Sequence, residues 1–290
     1  ASIIQHTAEF FDPDIFIVDK EPLGLRGELA TTLDVLKKRG AHIVLGLRDV
    51  LDEPRLLAPE WKRKNAIPAL ETYYDEMWVY GLPQICEPLA EIDLPESLRR
   101  KMVYTGYLRR FEGPKPVGQP AMVNTDKPYI LVTPGGGGDG ETLVDWVLRA
   151  YETDHGLPFA SMIVLGPFMQ SERRSEFISR ADALDKVDAI TFDAHMESLV
   201  ARAEGIVAMG GYNTFCEILS FDKKALIVPR TAPRLEQYIR TSRAGWRASG
   251  NVMAPCSGVC PASGPAMAAI CAAACHMSSK LPAWVPKWLP

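Results

Sequence analysis

The sequence predicts an α/β protein with two Rossmann-like domains, of which the first is incomplete. Short apolar segments alternate with longer amphipathic ones, a pattern typical of parallel sheets covered by helices. A polar segment rich in Pro and Gly separates these segments into two groups. We therefore expect a first domain at 1–112, a linker at 113–127, a second domain at 128–240 and an atypical tail at 241–290.

The first domain is expected to begin with a strand at Ile15–Val18. Leu29–Arg39 has the pattern of an amphipathic helix that ends at Gly40. His42–Leu47 and Met77–Tyr80 are the next apolar segments of strand length. So few strands are unusual for a Rossmann-like domain, and we expect that an amino-terminal piece of it is absent from the sequence.

The second domain is expected to begin with a strand at Tyr129–Thr133, followed by a glycine-rich loop. Further strands are expected near Met162–Leu165, Ala189–Phe192, Ile206–Met209 and Ala225–Val228. Helices are expected near Thr142–Tyr151, Ser171–Ala183 and Met196–Ala203. This order places strands and helices in regular alternation, as in a doubly wound sheet.

Composition narrows the class of protein. The formal net charge of −4 gives no sign of a nucleic-acid partner. The sequence has no apolar run long enough to span a bilayer, and its start lacks the basic and apolar regions of a signal peptide. These features favour a cytoplasmic protein.

The segment after the strand at Ile206–Met209 has the pattern of an anion site. Gly210 and Gly211 allow a sharp turn and a close approach of a ligand to the backbone. Tyr212, Asn213 and Thr214 follow where a helix is expected to begin, and unpaired N–H groups there attract phosphates. Glu217 comes about one turn later, where it can accept hydrogen bonds from sugar hydroxyls. The alternative for Glu217 is a solvated helix residue.

Two further loops follow strands at the same predicted edge of the sheet, where ligands bind in open α/β folds. Their candidate residues are Gly135, Gly136, Gly137 and Gly138 in one loop and Arg230, Glu236 and Gln237 in the other. The glycine loop matches a dinucleotide fingerprint, but the next strand ends without an acidic residue, and Glu141 stands where a P-loop needs Lys. It is either a tight turn or a wall facing a diphosphate. Glu236 and Gln237 are alternatively surface turn residues.

Two carboxylates of the first domain follow predicted strands and are candidates for a general base. They are Asp19 and Asp49. The alternative is that both form ordinary ion pairs at strand ends. No metal site is expected, because the Cys-x₃-Cys spacing in the tail is looser than common zinc patterns. The tail residues concerned are Cys256, Cys260, Cys271, Cys275 and His276.

The composition changes after Gln237, because no Asp or Glu occurs from Tyr238 to Pro290. One interpretation is a poorly ordered tail. The other, which we favour, is a shifted reading frame, because so long a loop without periodicity is unusual in a compact domain.

Three segments of the second half resemble the donor domain of GT-B glycosyltransferases of family 28. They are ILVTPGGGGDGE, GGYNTFCEILSFDKKALIVPR and LEQY. The first half is similar to a bacterial group of predicted glycosyltransferases through PDIFIVDKEPLGLRGEL, VLGLRDVLDEP and VYTGYLRR. Together the matching segments extend over most of Pro13–Tyr238.

By this resemblance, Gly211–Thr214 hold a donor diphosphate and Glu217 binds the ribose. Gln237 with Glu236 contacts the transferred sugar, and the glycine loop lies at the cleft between the domains. Such enzymes need no metal ion, because the helix start and backbone amides take the charge of the leaving group. Two family features have no counterpart in the sequence: an amino-terminal loop with Gly and His, and terminal helices that pack across both domains.

We therefore expect an inverting, metal-independent glycosyltransferase that uses a UDP-sugar as co-substrate, no other cofactor, and an unidentified acceptor hydroxyl. A lipid-linked acceptor would imply peripheral contact with a membrane. Two alternatives stay open at this point. One is a UDP-sugar 2-epimerase, which would convert its substrate without an acceptor. The other is a non-catalytic nucleotide-sugar-binding remnant, which would bind a donor without turnover.

Overall fold

The computed structural model describes residues 2–113, 128–136, 138–245 and 252–253. By their contacts, these residues form two compact units. The first unit comprises 2–108 and 230–245, and the second comprises 109–113, 128–136, 138–229 and 252–253. The predicted linker lies almost wholly outside the described residues, as do Gly137 and the cysteines of the tail.

The first unit contains a four-stranded parallel sheet in the order β1-β2-β3-β4. Its strands are β1 (Ile15–Asp19), β2 (His42–Arg48), β3 (Glu76–Tyr80) and β4 (Met102–Tyr104). The helices among them are α1 (Ser2–Phe11), α2 (Ala30–Arg39), α3 (Pro54–Arg63), α4 (Ala66–Tyr73) and α5 (Glu96–Arg99). The prediction of a parallel α/β domain is confirmed, although α3 and α4 were not predicted.

Local chemistry explains how these elements begin and end. Gly40 adopts φ 84° and ends α2, and the N–H groups of Gly40 and Ala41 bond carbonyls of the last helical turn. β2 is a central strand of this sheet, and its five central residues are buried, the pattern of a parallel strand covered on both faces of the sheet. β1 is an edge strand of this sheet, and Ile15 and Ile17 are half-exposed.

The second unit contains a six-stranded parallel sheet in the order β10-β9-β8-β5-β6-β7. Its strands are β5 (Tyr129–Thr133), β6 (Ala160–Val164), β7 (Val187–Ile190), β8 (Gly205–Ala208), β9 (Ala225–Ile227) and β10 (Val252–Met253). Its helices are α6 (Glu141–Thr153), α7 (Ser171–Asp182), α8 (Met196–Arg202) and α9 (Tyr212–Ser220). The prediction of a doubly wound second domain is confirmed.

Helix α10 (Glu236–Gly245) follows β9 of the second unit in the sequence but belongs to the first unit by its contacts. The predicted boundary between domain and tail, at 240/241, falls inside this helix. Arg240, Thr241 and Ala244 are fully buried, so the start of the predicted tail is a packed helix. The sequence did not indicate it because the buried side of α10 is largely polar. None of the described helices combines the length and the apolar character needed to cross a membrane.

Candidate functional site

The second unit has a topological switch point between β5 and β8. The chain runs from β5 to β6 and β7 on one side of the sheet, then returns to β8 on the other side of β5. Thr133 and Ala208, the last residues of β5 and β8, are paired in register. The loops that leave these two strands therefore start side by side and diverge, which creates the crevice where open α/β sheets bind ligands.

The glycine loop after β5 forms one wall of this crevice. Gly135 has φ 79°, a conformation that favours glycine, and Gly135, Gly136 and Gly138 are exposed. The carbonyl of Gly136 accepts a hydrogen bond of 2.9 Å from the N–H of Phe168. A Cβ atom at Gly166 would lie 2.6 Å from the carbonyl oxygen of Gly135. The loop is thus held against the turn that follows β6 by close backbone contact.

The other wall is the start of α9. Gly210 has φ 82° and turns the chain out of β8, and Gly211 precedes the first helical residue. Tyr212 is buried, whereas Asn213 is exposed at the first turn. Among the described residues, no side chain donates or accepts a capping hydrogen bond at Gly211. Backbone N–H groups and the positive end of the helix dipole at such a start bind anions.

Arg110 adds a positive charge to the start of α9, and we did not identify it from the sequence. Its backbone N–H donates to Ser220 Oγ at 2.9 Å, and its Nη2 donates to Asn213 Oδ1 at 3.0 Å. Its Nε is buried and has no hydrogen-bond partner among the described residues. The guanidinium therefore lies at the start of α9, the candidate anion site. The available signal was the Arg pair that ends VYTGYLRR.

Glu217 lies one helical turn after Asn213 on α9 and is largely buried. Burial, and to a lesser extent the negative charge of Glu197, raise the pKa of this carboxyl to about 7, against the opposing effect of Arg110. A carboxyl with a pKa near neutrality is common at functional sites, because a purely structural carboxylate is usually paired. The structure therefore brings Glu217, Arg110 and the predicted helix start together in one unit.

The predicted residues Arg230, Glu236 and Gln237 belong to the first unit by their contacts. Arg230 Nη2 donates to Glu236 Oε1 at 2.6 Å, and the backbone N–H of Arg230 donates to Gln237 Oε1 at 3.1 Å. Glu236 Oε2 is buried without a hydrogen-bond partner among the described residues. These three residues form one hydrogen-bonded cluster. That the cluster contacts a donor sugar stays a prediction.

The two predicted base candidates have opposite environments. Asp49 is fully buried and accepts hydrogen bonds from Arg240 Nη2 at 2.7 Å and from Tyr107 Oη at 2.9 Å. A sealed carboxylate with these partners has no access to a substrate proton, so the structure argues against Asp49 as the base. Asp19 ends β1 with its side chain 65% exposed, and its Oδ2 lies 3.8 Å from Arg48 Nη2. Asp19 remains the candidate.

Residues 130–238 match the model of the glycosyltransferase family 28 C-terminal domain. The resemblance to family 28 is confirmed. The match includes the glycine loop, the start of α9 and Glu217, together with the cluster at 230–237. No curated protein matches the chain.

Several solved structures share the fold. The spinosyn rhamnosyltransferase SpnG is 16% identical, with a TM-score of 0.57, and the match covers 96% of this chain and 66% of SpnG. MnaA of S. aureus, solved with UDP, is 13% identical with a TM-score of 0.55, covering 96% and 69%. The glycosyltransferase VinC, solved with dTDP, is 17% identical with a TM-score of 0.54, covering 97% and 71%.

These likenesses establish the GT-B fold predicted from the sequence. The identities are too low to establish more than the fold. The chain spans about two thirds of the length of each of the three proteins.

Proposed function

We propose that this chain is a glycosyltransferase that moves a sugar from a UDP-sugar to an acceptor hydroxyl, with inversion and without a metal ion. One observation carries the proposal. The start of α9, the glycine loop and Arg110 surround the switch point of the second unit. The match to family 28 on the same residues supports it.

The chemistry of this site suits a departing diphosphate. When the bond between the sugar and the diphosphate breaks, negative charge develops on the phosphate oxygens. Backbone N–H groups at the start of α9 and the Arg110 guanidinium are fixed donors for this charge. They would do the work that a divalent cation does in other enzymes, which is why we propose a metal-independent reaction.

Glu217 is proposed to recognise the ribose. An ionised carboxylate accepts hydrogen bonds from both hydroxyls of a ribose, whereas a protonated one is a poorer acceptor. Burial and Glu197 raise the pKa of this carboxyl to about 7. Hydrogen bonds donated by the ribose hydroxyls would stabilise the ionised form and lower that pKa. Donor affinity should therefore depend on pH near neutrality.

Inversion requires a single displacement. The acceptor oxygen would attack the anomeric carbon opposite the diphosphate, and a carboxylate would take the hydroxyl proton. Asp19 is the exposed candidate for this role, and Asp49 is not, because it is buried in an ion pair. Contact between the transferred sugar and Glu236 or Gln237 is part of the same proposal.

Isothermal titration calorimetry with UDP and UDP-sugars tests the donor site. Arg110→Ala removes a charged hydrogen-bond donor, so we expect a loss of about 10- to 100-fold in affinity. Arg149→Ala is the matched control, because Arg149 is 61% exposed and paired with Asp145 on α6. Glu217→Gln should weaken binding at pH 8, and Glu204→Gln, at the opposite end of β8, should not.

Absence of UDP binding by wild type, or equal losses in the Arg110 and Arg149 variants, would remove the basis of the proposal. Turnover is tested separately, by measuring UDP release from UDP-sugars with and without a panel of hydroxyl acceptors. Release that needs an acceptor supports transfer. Conversion of the sugar nucleotide without any acceptor would favour the epimerase instead.

A further inference from the structure

The side chain of Arg110 lies along the length of α9. The backbone N–H of Arg110 donates a hydrogen bond of 2.9 Å to Oγ of Ser220, the last residue of α9. Its Nη2 donates a hydrogen bond of 3.0 Å to Oδ1 of Asn213, the second residue of α9. Seven helical positions correspond to about 10 Å along a helix axis. The Arg110 side chain is therefore extended, and it runs from the end of α9 to its start.

The contacts of Arg110 lie on the face of α9 that carries Glu217. Asn213, Glu217 and Ser220 share this face, because residues three or four positions apart are neighbours on a helix surface. Burial raises the pKa of Glu217, Glu197 on α8 raises it to a lesser extent, and the positive charge of Arg110 opposes both. This electrostatic effect agrees with a guanidinium that is held beside the same helical face.

The partners of Arg110 hold its side chain without neutralising its charge. The Asn213 amide and the Ser220 hydroxyl are both uncharged. No carboxylate among the described residues forms an ion pair with Arg110, whereas Arg149 and Arg180 of the same unit pair with a carboxylate of α6. The Nε of Arg110 also has no hydrogen-bond partner within the described part of the chain. The guanidinium therefore keeps its full charge and a donor for an anion.

Holding an Arg side chain in place before a ligand arrives has a thermodynamic effect. A long, unrestrained side chain loses rotamer freedom when it binds, and this loss weakens affinity by about 2- to 12-fold. Arg110 is restrained at both ends, through its backbone at Ser220 and through its guanidinium at Asn213. Much of this entropic cost is therefore met on folding rather than on binding.

We propose that Asn213 and Ser220 are positioning residues that hold the Arg110 guanidinium in the orientation that a donor diphosphate needs. This inference rests on the proposed donor site, because it assigns the residues that hold the cation of that site. The Asn213 side chain acts through Arg110, whereas the backbone N–H groups of the same helical turn bind the phosphate directly. Ser220 lies two helical turns from the start of α9, so its effect on affinity is indirect.

Calorimetric titration of UDP into single and double variants tests these roles. Asn213→Ala should lower UDP affinity about fivefold in the wild-type background, but by less than about 1.5-fold in Arg110→Ala, because no guanidinium then remains to be positioned. Ser220→Ala should lower the affinity about threefold, and Ser220→Thr, which keeps a hydroxyl, should retain it. Ser175→Ala is the control, because Ser175 is an exposed polar residue of α7.

The titration of Glu217 in the ligand-free protein gives a readout that a purely structural role would not change. Arg110 and Glu197 are the charged groups that act on this carboxyl, and Arg110 lowers its pKa. If Asn213→Ala releases the guanidinium, the pKa of Glu217 should rise, as it should in Arg110→Ala. Carbon-13 NMR of the Glu217 carboxyl measures this pKa. Adding Asn213→Ala to Arg110→Ala should produce no further rise.

The outcomes separate the positioning role from the donor site itself. Equal losses of UDP affinity from Asn213→Ala with and without Arg110 would overturn the positioning role, because Asn213 would then contact the donor directly. An unchanged pKa of Glu217 in Asn213→Ala would overturn it as well. Neither result affects the donor site if wild type binds UDP and Arg110→Ala weakens that binding. Absence of UDP binding by wild type would refute the donor site and the positioning role together.

Discussion

The buried ion pair between Asp49 and Arg240 should contribute strongly to the stability of the first unit. The two residues are 191 positions apart, and both side chains are excluded from solvent. Arg240 Nε lies 2.9 Å from Asp49 Oδ2, and Arg240 Nη2 lies 2.7 Å from Oδ1. Tyr107 donates a further bond to Oδ2. We chose Asp49→Ala as the perturbation because it leaves the guanidinium buried without its counter-ion.

Breaking a buried ion pair on one side typically costs about 3–5 kcal/mol. The total stability of a domain is about 5–15 kcal/mol, so the expected loss is a large fraction of it. The melting temperature should fall by roughly 10 °C. Replacing both partners, as in Asp49→Leu with Arg240→Met, should recover most of this loss, because neither charge then remains buried alone.

Urea unfolding and scanning calorimetry of the single and double variants measure this coupling. Glu96→Ala is the control, because its pair with Arg100 is exposed and should contribute less than about 1 kcal/mol. A loss below about 1 kcal/mol for Asp49→Ala would refute the reasoning. So would a double variant whose loss equals the sum of the single losses, since no coupling would then exist.

Three further predictions concern the second unit. Because burial and the nearby Glu197 raise the pKa of Glu217 from 4.5 to about 7, the fold loses stability as the pH rises from 4.5 to 7 and does not regain it above pH 7; Glu217→Gln should therefore be more stable than wild type by about 3 kcal/mol at pH 8, with no difference near pH 4, in urea unfolding. Calorimetry should show UDP-sugar affinity rising from pH 6 to pH 8 in wild type but not in Glu217→Gln; a pH-independent wild type would contradict the ribose role. Gly166→Ala should lower the free energy of unfolding by about 2–4 kcal/mol, because Gly166 has φ 91° and the added methyl group would also clash with the backbone of the glycine loop. Gly27→Ala is the control: Gly27 has φ 79° but open space around it, so only the backbone strain of about 1–2 kcal/mol is expected.

Much of the fold was predictable where local chemistry decides it. The strand at Tyr129–Thr133 was predicted with its observed bounds, because YILVT is a run of aromatic, aliphatic and β-branched residues that follows a polar segment. Gly40 ended α2 as expected, because few other residues adopt its conformation. Helices α3 and α4 were missed, and both contain proline, Pro59 and Pro68, which disfavours a helix in a local interpretation.

The candidate site was predictable in part for the same reason. The glycines and the start of α9 have a local signature, since strand, glycine turn and helix follow each other within a few residues. Arg110 has no such signature, because its role depends on contacts with Asn213 and Ser220, more than 100 positions away. The raised pKa of Glu217 likewise depends on burial and on Glu197, which only packing determines.

The sequence by itself determined the alternation of strands and helices, the turns at glycine and the residue pattern of the proposed phosphate site. Only the tertiary structure decided that α10 packs within the first unit and that Asp49 is a structural ion-pair partner. The physical reason is that Gln237, Arg240 and Thr241 bury a polar helix face, which has no apolar periodicity to reveal it. Burial of that face is possible only because a carboxylate distant in the sequence neutralises the guanidinium.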